Sequence, residues 1–279
     1  MNEIKVFEQH DNYSEYITST QRILSNVSYC EDKKELHYTP WKGVVATFDI
    51  TTNTQPTRIA YNTTNIIDIR IDCERQPNIP TTKQFDTKGT HILTYTLNNN
   101  KTITENMFRS CESVKTVKLS DTITSIGDYA FYSNYALTKI EMPDTVTSWG
   151  SFCFQVCKKI TSIGPHGSGA SIEIPSKLTT LPQLCFGGCT ALADVVIPST
   201  IRNFSPRVFE GCTALNGITI LATNPPHIDI GAGTTIPTIF GQNGEKKNIY
   251  VPAESVNTYK NNTTNNWAYY ADYIFPIQS

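Results

Sequence analysis

Apolar residues recur along the middle of the chain with a long period. Phe131 has counterparts at Phe108, Phe154, Phe186 and Phe209, at spacings of 23, 23, 32 and 23 residues. Three residues past each phenylalanine lies Cys111, Asn134, Cys157, Cys189 or Cys212. Downstream of each comes an apolar-x-apolar pair: Val117/Leu119, Ile140/Met142, Ile172/Ile174, Val195/Ile197 and Ile218/Ile220. A turn follows (SDT, PDT, PSK or PST), and the next copy opens on ITSIG, VTSWG or LTTLP. Five copies matched at several slots identify a repeat architecture. The third carries nine extra residues around GPHGSGA, and in the first ITENMF replaces IGDYAF.

A unit of 23 residues is too short to bury its own apolar face, so copies must stack. The i and i+2 pair of each unit points to one side of a strand, and these strands are expected to pair as a parallel ladder about 4.8 Å apart. The segment DYAFYSN is expected to make one or two helical turns with Ala130 and Phe131 inward, so that one phenylalanine per coil forms an aromatic spine.

The pattern I-T-S-I-G-D-Y-A-F…L-T-x-I-x-M-P-D-T resembles the BspA-like leucine-rich repeat family of bacterial surface proteins over residues 101–223. The last stretch, IYVPAESVNTYKNNTTNNWAYYADYIFPIQS, is similar to the cap that ends many such arrays. The resemblance implies a leucine-rich-repeat solenoid and, in general, a surface adhesin.

Ahead of the repeats the period shortens to two, the strand signature. GVVATFDI puts Val44, Ala46, Phe48 and Ile50 on one face; IIDIRID is expected to turn Ile67, Ile69 and Ile71 inward; HILTYTL aligns Leu93, Tyr95 and Leu97. With a weaker strand at 57–61, these suggest a small β-sandwich, and FDTKGTHILTYTL resembles the last strand of bacterial immunoglobulin-like modules. NVSYCEDKKELHYTP reads as a hairpin, with Val27 and Tyr29 facing Leu36 and Tyr38 across EDKK. The opening residues read as an extended arm, and together with ATFDITTNTQPTRI they resemble the start of structural and prophage-encoded repeat proteins of gut Bacteroidales. The expected fold is an α/β leucine-rich-repeat solenoid preceded by an all-β immunoglobulin-like sandwich. It divides into an attachment arm and hairpin (1–40), the sandwich (41–100), five repeats (101–223) and a C-terminal cap (224–279).

Composition narrows the partners. Charged residues make up 17% of 279, with net charge −2, so the chain has no electrostatic footprint for nucleic acid or an acidic membrane. No apolar run approaches the ~18 residues of a membrane span. The start, MNEIKVFEQHDNYSEY, has no basic-then-apolar leader. That fits a chain that stays in the cytoplasm, one parted from its leader, or one that leaves the cell inside a particle. Of the eight cysteines, four share the slot after the spine phenylalanine, and Cys153 and Cys185 share the slot before it. They read as buried thiols, the competing reading being bridges between adjacent coils. Cys30 and Cys73 fall outside the array.

Catalytic chemistry finds little support. None of His10, His37, His91, His166 and His227 lies in HExxH, no CxxC offers zinc spacing, and there is no GxSxG or phosphate-cradling loop. No cofactor or metal is expected. The outward ladder positions Lys118, Glu141, Glu173, Val196 and Thr219, with Lys139 and Asp194 one row earlier and His166 in the inserted loop, are the candidate ligand-binding residues. They mix charges and lack aromatics, so the competing reading is a solvated face. Trp267, Tyr269, Tyr270, Tyr273 and Phe275 are expected to seal the last coil, with a carbohydrate site as the lesser reading. The expected function is a non-enzymatic structural and recognition protein. It is either a phage virion component, anchored to other structural proteins through the arm and displaying the repeats to a host-surface receptor or glycan, or a bacterial cell-surface adhesin. Self-association into a homo-oligomer is expected, and an enzyme is the remaining class.

Overall fold

The computed structural model describes residues 43–72, 74–241 and 243–278, with the backbone of Val27–Cys30 and Glu35–Tyr38. The chain divides into two units, residues 1–41 and 42–279. In the first, Val27–Cys30 and Glu35–Tyr38 pair antiparallel, Val27 opposite Tyr38 and Tyr29 opposite Leu36, the register expected of the hairpin. The arm upstream and Cys73 lie outside the described residues.

The second unit is built on a twelve-stranded sheet. Its parallel part runs through Val114–Leu119, Lys139–Glu141, Ile172–Ile174, Ser162–Pro165, Asp194–Ile197, Gly217–Ile220, Asn248–Val251 and Ile274–Pro276. All five apolar pairs named from the sequence are buried along it. Apart from the two-stranded pair of Thr57–Arg58 with Thr82–Lys83, the described strands of 43–97 do not stand as a separate sandwich. Gly43–Ile50 pairs antiparallel with Val114–Leu119, Gly89–Leu97 pairs with Gly43–Ile50, and Ile66–Ile71 pairs with Gly89–Leu97, so the same sheet continues. The reason is physical: the first coil would otherwise expose a strand edge and the end of its core. Val44, Ala46, Phe48 and Ile50 are buried in one continuous core with the repeats. Ile67 is exposed, contrary to expectation, and Ile66 is buried. A shift of register between Ile66 and Asp68, opposite Leu97 and Thr96, takes up the extra residue and reverses the alternation there.

The phenylalanine spine forms as expected and gains one member. Phe108, Phe131, Phe154, Phe186, Phe209 and Phe240 stack with centroids 5.4, 5.7, 5.7, 5.9 and 6.3 Å apart. Each end is closed by a tyrosine set edge-on, Tyr95 at 5.1 Å and Tyr270 at 5.7 Å. Their hydroxyls donate to the carbonyls of Ile59 and Pro237, which satisfies the one polar atom each brings inside. Phe240 and Asn248–Val251 therefore extend the array by a sixth coil, in a stretch expected to belong to the cap. The cap proper places Trp267 and Tyr270 in the core with Tyr259, while Tyr273 and Phe275 face outward.

The segments around the spine are not helical turns. Each of the five from Phe108 to Phe209 carries left-handed residues two before and two after its phenylalanine: Asn106 and Ser110, Tyr129 and Ser133, Phe152 and Val156, Leu184 and Gly188, Arg207 and Gly211. This conformation turns alternate N–H groups toward the next coil. Phe108 N–H donates to Ala130 O, Phe131 to Cys153 O and Phe154 to Cys185 O, so the turn face is itself a hydrogen-bonded ladder. Coils lie so close that a Cβ on Gly127 would sit 2.6 Å from the Glu105 nitrogen, and one on Gly150 2.4 Å from that of Asp128. That explains the glycine ending ITSIG and VTSWG.

The nine extra residues add a rung to the sheet. Ile163, 23 residues after Ile140, occupies the regular strand of the third copy, and the loop after it returns so that Ile172–Ile174 slots between that strand and Lys139–Glu141. The opposite edge has no matching rung. There Thr102–Ile103, Ser125–Ile126 and Ser148–Trp149 form one three-stranded sheet, and Thr180–Leu181, Asn203–Phe204 and His227–Ile228 another. An added spacing of about 4.8 Å on one face only accounts for the break. The buried Trp149 ring stands there, edge-on to both Phe154 (5.2 Å) and Phe186 (5.9 Å).

Candidate functional site

The exposed face of the sheet holds most of the residues singled out from the sequence. Lys118 and Glu141 are register partners, with Nζ 3.6 Å from Oε2. Lys139 sits one row earlier beside Thr116. Val196 is opposite Thr219 and Asp194 opposite Ser162. The row is not the uninterrupted one expected, because the added rung puts Gly164 opposite Glu173. It is also longer: Val45 precedes Lys118, and Tyr250 and then Phe275 follow Thr219. Tyr250 and Phe275 lie 6.1 Å apart, so the C-terminal end of this face does carry aromatics. The signal was the IYV strand, hidden by its assignment to the cap.

Glu173 is part of the loop's own framework. Its carboxylate accepts from the N–H groups of Gly167 (2.9 Å) and Gly169 (2.7 Å) and lies 3.4 Å from His166 Nδ1. Beside it runs an open groove of about 540 Å³ lined by Lys118, Asp121, Glu141, Asp144, His166 and Lys177 among others. Asp144 holds the start of the next coil, accepting from the Ser176 hydroxyl (2.6 Å) and N–H (2.5 Å). The Ser176 hydroxyl, then its N–H, then His166 and Lys177 hold the Asp144 carboxyl below its ordinary value. The groove thus gathers Lys118, Glu141 and His166, whereas Val196 and Thr219 lie farther along the sheet.

The cysteines of the repeats are free and buried. Cys157, Cys189 and Cys212 donate Sγ–H to the carbonyls of Phe131, Phe154 and Phe186, the spine residues of the preceding coils, at 3.2, 3.3 and 3.1 Å. Burial pushes the Cys157 and Cys212 thiols up to about 12 and the others well above the ordinary range. The thiolate is the reactive form, so these groups are inert. His91 meets Asp72 through Nδ1 (2.6 Å), but its Nε2 faces the Thr87 carbonyl at 3.1 Å. Both ring nitrogens are thus engaged within the fold. Among the described residues no group of three His, Cys, Asp or Glu side chains is placed to hold a metal ion, and no helix is long and apolar enough to cross a membrane.

The BspA type leucine rich repeat region matches the chain in six copies, over residues 83–168 and 101–232. A leucine rich cell surface protein from Faecalibacterium prausnitzii is 32% identical over 43% of this chain and 29% of its own, with a TM-score of 0.38. A leucine-rich repeat protein from Eubacterium ventriosum is 24% identical over 50% of this chain and 44% of its own, at 0.34. The pneumococcal vaccine antigen PcpA is 18% identical over 66% and 46%, at 0.45. The chain spans less than half the length of each of these three. No curated protein matches it.

Proposed function

The chain belongs to the BspA-type leucine-rich repeat family, and from that membership we propose that it is a non-enzymatic recognition protein displayed at a bacterial cell surface. The observation that carries the reading is the outward row of the sheet. A parallel ladder fixes side chains such as Lys118, Glu141, Val196 and Thr219 at regular spacing on a rigid backbone, which lets a long surface bind without ordering costs. Buried thiols held protonated and a histidine with both ring nitrogens engaged within the fold lend catalysis no support.

The surface reading takes precedence over that of a phage virion component. The family match, over residues 83–232, falls on the repeats that surface adhesins of this type share and does not reach the N-terminal stretch whose resemblance favoured a virion component. Antibody labelling of intact cells, set beside density-gradient fractions of an induced lysate, tests the choice. Labelling of intact cells with none in DNA-filled particles is the expected result. Recovery in particles alone would overturn it.

A further inference from the structure

We propose that the turn face, on the opposite side from the candidate row, carries a second binding site, for a carboxylated sugar. Its platform is built where the N-terminal strands meet the first three coils. Tyr61, 47% exposed, has two guanidiniums near its ring, Arg58 at 5.0 Å and Arg109 at 5.5 Å from the centroid. Arg109 also lies 5.6 Å from the Tyr129 ring and 5.1 Å from that of Tyr132. Tyr129 in turn stacks on Phe152 at 4.6 Å, with the planes 2° apart.

Charge makes the site unlike an ordinary packed arginine. Among the described residues neither Arg58 nor Arg109 has a carboxylate partner; Arg109 donates only to Asn106 Oδ1, at 3.2 Å. A guanidinium has five N–H donors in a flat fork, and among the described residues Arg109 uses only one of them while three rings hold the fork in place. Arg207 and Glu210 occupy the same two turn-face slots of a later coil as Asn106 and Arg109, and there Arg207 is neutralised by a bidentate pair with Glu210 at 2.6 and 2.5 Å. The first coil leaves its arginine open. The hydroxyls of Tyr61, Tyr129 and Tyr132 likewise make no hydrogen bond among the described residues.

A cationic fork held beside the exposed Tyr61 ring matches one ligand chemistry well. A pyranose carrying a carboxylate offers a planar anion for bidentate pairing with guanidinium and a C–H face that lies flat on a tyrosine ring, while phenol hydroxyls meet its ring hydroxyls. Uronic and sialic acids share this chemistry. The site is independent of the ladder row, so either can fail alone.

Calorimetric titration of the full chain with digalacturonic acid, 3′-sialyllactose and lactose tests it. At least one acidic sugar should bind, and lactose at least tenfold more weakly. Arg109→Gln and Tyr61→Ala should each weaken the acidic sugar at least tenfold, while Lys118→Ala on the ladder leaves it unchanged. Arg58→Gln, which breaks no polar contact of the fold, serves as a second arginine variant, and circular dichroism melts check that each variant folds. Which acidic sugar binds distinguishes the two sources. No binding of either, equal binding of lactose, or full binding by folded Arg58→Gln and Arg109→Gln would overturn the proposal.

Discussion

Replacing Phe186 with alanine removes the middle of the spine, and the structure sets the size of the loss. The ring is fully buried. It stacks on Phe154 at 5.7 Å and on Phe209 at 5.9 Å, and meets the edge of Trp149 at 5.9 Å. Burying about 150 Å² of ring at about 25 cal/mol per Å² gives roughly 4 kcal/mol. Three lost aromatic contacts raise this and the retained Cβ lowers it, so about 4–5 kcal/mol is expected, at the upper end of Phe→Ala losses. Coupling between stacked coils should spread the damage to both neighbours. Urea unfolding followed by tryptophan fluorescence is the natural assay, because Trp149 touches the altered ring. The expected result is an unfolding free energy lowered by that amount, with a correspondingly earlier midpoint, and a shallower slope if the halves of the array unfold separately. Phe275→Ala, at a ring 38% exposed, should change stability by less than about 0.5 kcal/mol. A loss below about 1 kcal/mol for Phe186→Ala would refute the spine as the organiser of the core.

Other perturbations test separate features. Asn134 fills the cysteine slot of the second copy, fully buried with neither amide atom bonded among the described residues. Asn134→Cys should therefore raise stability by about 1–3 kcal/mol, the penalty of a buried unsatisfied polar group, measured in the same urea titration. Gly211 has φ +71°, and an added Cβ would meet nothing closer than 3.6 Å. Gly211→Ala should cost about 1–2 kcal/mol from conformation alone, and a neutral result would contradict the left-handed turn. Cys157 and Cys212 stay protonated in the fold up to about 12, whereas unfolded thiols ionise near 8.5. The folded state then holds more protons than the unfolded one, so stability is intact below about pH 8.5. It falls by roughly 1.4 kcal/mol per pH unit per thiol above it, up to about pH 12. Melting temperatures measured from pH 7 to 11 check the sign, and a flat profile would contradict it.

The repeats were legible because periodic slots report directly on stacked packing: the spine, the buried thiols and four of the five apolar pairs lie at matched slots, while Ile172/Ile174 belongs to the added rung and the regular strand of that copy is at Ile163. The sixth coil was not, since Phe240 follows Phe209 by 31 residues and its surroundings, NPPHIDIGAGTT, keep none of the usual words. Left-handed turns escaped because residues such as Tyr129, Phe152 and Val156 do not prefer that conformation; only Gly188 and Gly211 hinted at it. The strands before the repeats were placed correctly, but their alternation is the same whether they face a second sheet or continue the first. Ile67 was assigned inward because a bulge leaves no mark in an apolar pair such as Ile66-Ile67. Of the candidate site, Lys118 and Glu141 follow from register alone. The Tyr61, Arg109 and Tyr132 cluster joins residues far apart in sequence and needed the fold.

Adhesion is the most direct test of a recognition role for the outward ladder. Fluorescent beads coated with the full chain would be counted on epithelial monolayers beside beads carrying a chain with Lys118, Lys139, Asp194 and Thr219 all replaced by alanine. Adhesion above bare beads that drops at least tenfold for the ladder variant is the predicted result. Wild-type beads no better than bare ones, or a folded ladder variant that adheres as well as wild type, would contradict it.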